Sequence, residues 1–324
     1  MSDVIRDLTP FLDPEIAPLF ARQDAVDYAA VKDWPKARAT RHVEPRPSSE
    51  SVVIENVVVP AYPETEMHQA AVRAYLPASG AAENTLLWIH GGGFVGGHVN
   101  ENDAMCMTLV DAVGCNLVAA AYRLAPEHPF PAATNDCFAA LQWIGSGPAL
   151  LGGVPQRLAV AGGSAGGCLA AAMALMARDL GGPELCHQIL VFPVLDDRLE
   201  TRSARVIEDQ RTWSRKKASF GWKAYLGDDH GNNDVSPYAA PARAESLAGL
   251  PPATIFVEEL DLLRDEAVDY ANRLTAANVR AGLTIYPGTH HGHTGLAPQA
   301  QVSRRTSRDV VDAIKTAFQT PIFP

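Results

Sequence analysis

The sequence predicts an α/β fold with a mostly parallel, eight-stranded central sheet, helices on both faces and a helical cap. Three observations carry that prediction. From residue 86 onward, short apolar or β-branched runs alternate with helix-length amphipathic stretches, the rhythm of βαβ units. Two of those runs end in glycine-rich turns, Gly91-Gly92-Gly93 and Gly162-Gly163-Ser164-Ala165-Gly166. One segment, 198–249, breaks the rhythm between two strands and is too long for a simple crossover.

In order along the chain, residues 1 to about 45 read as polar-amphipathic helix broken by Pro10, Pro14, Pro18 and Pro35, and 45–49 as a proline-rich linker. Residues 51–59 and 69–76 read as two antiparallel strands parted by a turn at 60–66. Further strands are expected at 86–89, 116–121, 157–161, 188–192, 253–257 and 282–286. Helices are expected at 103–113, 132–144, 165–178, 265–277 and 299–318. The segment 198–249 carries Trp213, Phe220, Trp222 and Tyr225, and reads as helices lying over the sheet beside the N-terminal ones. In domain terms, 1–48 forms a cap segment, and 49–324 forms the main domain with a cap insertion at 198–249.

With 324 residues, the chain is long enough to bury most of its apolar surface in one core. Its 47 % hydrophobic and 20 % charged residues exclude a disordered or fibrous protein. A net charge of −10 repels nucleic-acid phosphates and anionic lipids, so neither is expected as a partner. The densest basic cluster, Arg211, Arg215, Lys216 and Lys217, reads as a solvated helix face. The five cysteines Cys106, Cys115, Cys137, Cys168 and Cys186 form no C-x-x-C pair and are odd in number. That argues against a disulfide framework and a zinc site, and fits reduced thiols in a cytoplasmic protein. No signal peptide and no membrane-length apolar run is read from the sequence.

The run Gly162-Gly163-Ser164-Ala165-Gly166 matches G-x-S-x-G, follows the apolar strand 157–161 and opens a helix. A sharp strand-to-helix turn forces its serine into a strained backbone and lifts the hydroxyl above the sheet as a nucleophile. A phosphate-binding reading fails: G-x-G-x-x-G belongs in a first βα unit, and no lysine follows Gly166. His90-Gly91-Gly92-Gly93 follows the strand 86–89. Acyl transfer builds negative charge on the former carbonyl oxygen, and backbone N–H groups of Gly91, Gly92 and Ala165 are the expected donors to it.

A serine nucleophile needs a base oriented by a carboxylate, in the chain order Ser, acid, His. After strand 253–257 stand Glu258, Glu259, Asp261, Asp265 and Glu266. Spacing favours Asp261; Asp265 and Glu266 fit the first turn of a helix, and Glu258 and Glu259 stay open. After strand 282–286 stand His290, His291 and His293, which spacing does not rank.

These motifs in this order resemble the hormone-sensitive-lipase-like family of α/β-hydrolases, which holds many microbial carboxylesterases. The resemblance rests on His90-Gly-Gly-Gly-Phe94, Tyr122-Arg-Leu-Ala-Pro-Glu127-His-Pro-Phe-Pro-Ala-Ala133, the serine turn, Asp261-Leu-Leu-Arg-Asp-Glu266 and His291-Gly292. It implies the α/β-hydrolase fold, Asp261 as triad acid, His291 as base, and the stretch 122–133 as a structural signature. It also implies a helical cap and short-chain ester substrates; the aromatic residues Trp213 and Trp222 of the 198–249 segment are then expected to narrow the pocket. Three positions depart from the family pattern: Gly163, where Asp or Thr is usual; Cys168, where Asn is common; and His293, in place of Phe.

The expected activity is thus a serine carboxylesterase using Ser164, His291 and Asp261, with no cofactor or metal and a small-molecule ester as its partner. The same triad would serve an amidase, lactonase or deacetylase, and a non-catalytic binder is the reading from another class. Some relatives pair through the last strand and helix, which leaves monomer and homodimer both open.

Overall fold

The computed structural model describes residues 4–40, 49–63 and 68–319. The expected linker, apart from Ser49, and part of the turn at 60–66 lie outside the described residues. Eight strands form one sheet: β1 (Val52–Val59), β2 (Ala70–Pro77), β3 (Asn84–Ile89), β4 (Asn116–Ala121), β5 (Arg157–Gly163), β6 (His187–Val191), β7 (Ala253–Glu258) and β8 (Ala281–Tyr286). Their order is β1-β2-β4-β3-β5-β6-β7-β8. The β1/β2 and β2/β4 pairs are antiparallel, and all others are parallel.

The helices are α1 (Ala17–Phe20), α2 (Trp34–Ala39), α3 (Asp103–Val113), α4 (Ala132–Gly145), α5 (Ala165–Leu180), α6 (Arg202–Val206), α7 (Arg215–Leu226), α8 (Arg264–Ala276), α9 (His293–Leu296) and α10 (Gln301–Gln319). Successive side chains of a strand point to opposite faces, and β3 shows the consequence. Leu87 and Ile89 join the buried cluster under α4, α5 and α8, whereas Leu86 and Trp88 join the one under α3 and α10. Helix α5 is buried from Ala165 to Met176, and its alanines let its backbone lie close against β5 and β6. No helix among the described residues is long and apolar enough to cross a membrane. All five cysteines are buried and unpaired.

One expectation is sharpened and one needs correction. The breaks in the N-terminal stretch go further than expected: it consists of short helical pieces at Thr9–Phe11, Ala17–Phe20, Tyr28–Ala30 and Trp34–Ala39, three of them with a proline in the first two positions. Proline starts a helix well but cannot continue one, because it lacks the N–H that the ladder needs.

The basic cluster is not a solvated face. Arg211 lies 4.5 Å over the Phe20 ring and pairs with buried Asp209 and with Asp7. Arg215 donates to the Leu199 and Ala204 carbonyls, and buried Lys217 to those of Gln210 and Thr212. Lys216 is itself exposed and pairs with exposed Asp27. These cations tie the 198–249 segment to itself and to the N-terminal turns. A one-residue parallel bridge between Ile5 and Ile207 and the Leu8 N–H bond to Asp209 add to the tie.

Candidate active site

Ser164 caps α5 at the end of β5 with φ 56° and ψ −120°, a conformation that costs about 1–3 kcal/mol in a non-glycine residue. Surrounding bonds hold it there. Its N–H donates to the Val191 carbonyl, and its carbonyl accepts from Gly167, Cys168 and Val194. The turn closes because Gly162 and Gly166 have no side chains. A Cβ on Gly162 would lie 2.2 Å from the Gly166 oxygen, and one on Gly166 would lie 2.0 Å from that of Ile89.

The strained serine meets the two chain segments after β7 and β8. Ser164 Oγ is 2.9 Å from His291 Nε2, and His291 Nδ1 is 2.6 Å from Asp261 Oδ2. Asp261 is buried and also accepts from the Leu263 N–H. These partners set the tautomer: Nδ1–H donates to Asp261, and Nε2 is left to accept from the serine hydroxyl. The two loops are stitched together beside the relay. Glu259 N–H donates to Tyr286 O, Leu260 N–H to Thr289 O, and Gly288 N–H to the Glu259 carboxylate.

The competing residues have other partners. Asp265 accepts from the Ser203 N–H and Glu266 from that of Leu195, so both brace the chain on either side of residue 198. His290 is buried against Phe20, with its Nδ1 2.9 Å from the His291 carbonyl oxygen; burial lowers its pKa to about 4. His293 lies behind the relay, with Nδ1 3.3 Å from Glu258, and burial lowers its pKa to about 4 as well.

Gly91 and Gly92 lie on the loop after β3, close against the serine turn. A Cβ on Gly91 would stand 3.2 Å from that of Ser164. Gly92 has φ +124°, and its carbonyl accepts from Val95 and Gly96, curling the loop on itself. The 122–133 stretch braces this loop. Tyr122 stacks on His90 and donates from its hydroxyl to the His90 carbonyl, and the Ala125 N–H donates to Phe94 O. Ala165 is the first residue of α5, where a backbone N–H has no partner within the helix.

Gly91, Gly92, Ser164 and His291 open into one cavity of about 750 Å³. Its other walls include Phe192, Met105 and Leu109 of α3, and Val310 and Val311 of α10. Trp213 forms part of the wall: its ring lies 6.1 Å from that of His291, edge-on to Tyr28. Trp222 does not narrow the pocket. It is buried between Phe94 and Tyr225 as core.

Of the three departures from the family pattern, Cys168 donates its buried thiol to the Ala239 carbonyl, and burial pushes that thiol well above its ordinary range. One group near the relay escaped sequence reasoning. Thr212 lies with its hydroxyl 3.3 Å from the His291 carbonyl oxygen, and nothing in its sequence context marks it. Glu258, one of the acids left open by spacing, is buried beside Asp261 rather than facing His291 Nδ1.

Comparison with known proteins agrees with this fold. A family model described as the alpha/beta hydrolase fold matches residues 86–294. The carboxylesterase NlhH of Mycobacterium tuberculosis is 37 % identical over 235 residues, 72 % of this chain and 73 % of that protein. The ethyl acetate hydrolase of Pseudomonas putida is 32 % identical over 230 residues, 69 % of this chain and 71 % of its own. The solved structure of a bacterial heroin esterase superposes with a TM-score of 0.89 at 39 % identity, covering 97 % of this chain and all of that one. The chain belongs to the α/β-hydrolase fold family, in its hormone-sensitive-lipase-like branch.

Proposed function

We propose that this protein is a serine carboxylesterase that hydrolyses short-chain carboxylic esters through an acyl-enzyme intermediate. The observation that carries this reading is the unbroken relay from Ser164 Oγ through His291 to buried Asp261, set in the wall of the 750 Å³ cavity. The carboxylesterase, ethyl acetate hydrolase and heroin esterase names of its relatives support the ester class.

In this mechanism His291 Nε2 takes the Ser164 proton as Oγ attacks the ester carbonyl. The oxyanion is held by the N–H groups of Gly91, Gly92 and Ala165, each donor contributing on the order of 3 kcal/mol. His291 then returns the proton to the leaving alcohol, which departs as the acyl-serine forms. Water, deprotonated by the same imidazole, attacks the acyl carbon; the acid leaves and Ser164 regains its proton. Asp261 keeps Nδ1 protonated and stabilises the imidazolium in both halves.

The test is Ser164→Ala assayed with p-nitrophenyl esters from acetyl to decanoyl, with the matching anilides as amide controls. The wild type is expected to favour short acyl esters over long ones and over anilides, and the variant to fold but lose turnover. Undiminished turnover in the variant overturns the nucleophile, and preference for anilides overturns the ester class.

A further inference from the structure

Behind the relay lies a second layer of polar groups that the mechanism above does not use. Glu258 closes β7 with 1 % of its surface exposed, beside equally buried Asp261. Single ligand atoms of Glu258, Asp261 and His291 all lie within 4.8 Å of one another. The Glu258 and Asp261 side chains are within hydrogen-bonding reach, and the Gly292 N–H faces the Glu258 carboxyl. Glu258 Oε1 is 3.3 Å from His293 Nδ1, and His293 Nε2 is 3.3 Å from the Thr306 hydroxyl of α10. Glu258 Oε2 is buried with no hydrogen-bond partner.

Two buried carboxylates side by side cannot both be charged. Asp261 must keep its charge, because it faces the Nδ1–H of His291 at 2.6 Å. We propose that Glu258 is held as a neutral carboxylic acid and is a positioning residue for Asp261, its Oε2–H donating to the triad carboxylate while His293 Nδ1–H donates to Oε1. That proton gives the orphaned Oε2 a partner. The Thr306 hydroxyl then serves His293 Nε2 instead of the Val302 carbonyl of its own helix. Burial and the Asp261 charge both push the Glu258 carboxyl well above its ordinary range, in keeping with this state. The other titratable groups around the pair are His290, His291, Glu266 and Tyr286. A bond donated to Asp261 fixes its rotation and draws off part of its charge. It thereby weakens the attraction of the Asp261 carboxylate for a protonated His291 ring, compared with an unassisted carboxylate or a pair of charged ones.

This inference deepens the triad reading and rests on it for its kinetic arm. The acidic limb of kcat/KM against pH is expected to move up by about half to one unit in Glu258→Ala, which lacks the donor, and to return to the wild-type position in Glu258→Gln, which restores one. A limb in Glu258→Gln that lies about one unit below the wild type would mean an ionised Glu258 and overturn the proposal, as would an unmoved limb in Glu258→Ala. The second arm needs no turnover. A carboxyl whose pKa is raised on folding contributes stability below its unfolded value of 4.5 and loses it as pH rises toward the folded value. The Tm of Glu258→Gln should therefore gain steadily on the wild type between about pH 5 and pH 8. A constant gap overturns the assignment. If Ser164→Ala kept its activity, the triad reading would fall while this Tm gap would still report on Glu258.

Discussion

Gly163 faces the ring of Phe192 across a gap wide enough for a methyl group: a Cβ built there lies 3.5 Å from Phe192 Cε2, ordinary contact distance. Phe192 in turn meets the His291 ring edge-on at 5.0 Å. The turn therefore does not require glycine at position 163, and a methyl group there would sit in ordinary contact with the cavity wall. Gly163→Ala is expected to keep or raise Tm, because alanine in a strand loses less entropy on folding than glycine, a gain of about 0.5–1 kcal/mol. Gly166→Ala is expected to collapse both Tm and turnover, since its Cβ would stand 2.0 Å from the Ile89 oxygen. Thermal melts and kcat for the two variants check this.

Asp261→Asn should lower kcat by about four orders of magnitude while preserving the fold, because an amide can donate to Nδ1 and stabilise the wrong tautomer. Asp265→Asn keeps an acceptor for the Ser203 N–H and should retain most of its turnover. Equal losses in both variants would contradict the assignment of the acid.

Arg211→Ala should loosen the N-terminal turns. It leaves Asp209, 2 % exposed, without its charge partner and uncovers the Phe20 ring. Removing one member of such a pair costs about 3–5 kcal/mol. Limited proteolysis should then cut within residues 4–30 before the rest of the chain opens.

Trp213→Ala should shift acyl preference toward longer chains. The ring lines the cavity between His291 and Tyr28, and Gly93 packs so close that a Cβ there would lie 2.5 Å from Trp213 Cη2. The ratio of kcat/KM for decanoyl over acetyl p-nitrophenyl esters should rise. An unchanged ratio would show that the ring does not bound the acyl site.

His290 offers a test of pH-dependent stability. Its pKa falls from 6.5 to about 4 on folding because the ring is buried. The unfolded chain therefore takes up a proton below 6.5 that the folded chain refuses until about 4. The stability contributed by this group is complete above about pH 6.5 and is lost as pH falls toward 4. His290→Phe should melt below the wild type at pH 7.5, having lost the bond to the His291 carbonyl, and the gap should narrow by pH 5.

The fold class, the sheet and the proposed nucleophile were legible in the sequence because they rest on local rules. Period-two runs make strands, apolar spacing makes helices, and a serine between glycines after a strand has one conformation open to it. Those rules fixed Ser164, the loop of Gly91 and Gly92, and the chain order of the acid and base. They favoured Asp261 without closing out Glu258 and Glu259, and they did not rank the three histidines, which spacing treats alike. That ranking comes from what lies opposite each side chain, and the partners are distant in sequence: Ser203 for Asp265, Phe20 for His290, Thr306 for His293. The prolines were visible, but their effect on the N-terminal stretch was settled by where the cap insertion offers Asp209, Arg211 and Ile207 as supports. The sequence alone thus determined the serine and the scaffold under it. The tertiary structure decided which carboxylate is charged, because only folding buries Glu258 against Asp261 in a space that admits a single negative charge.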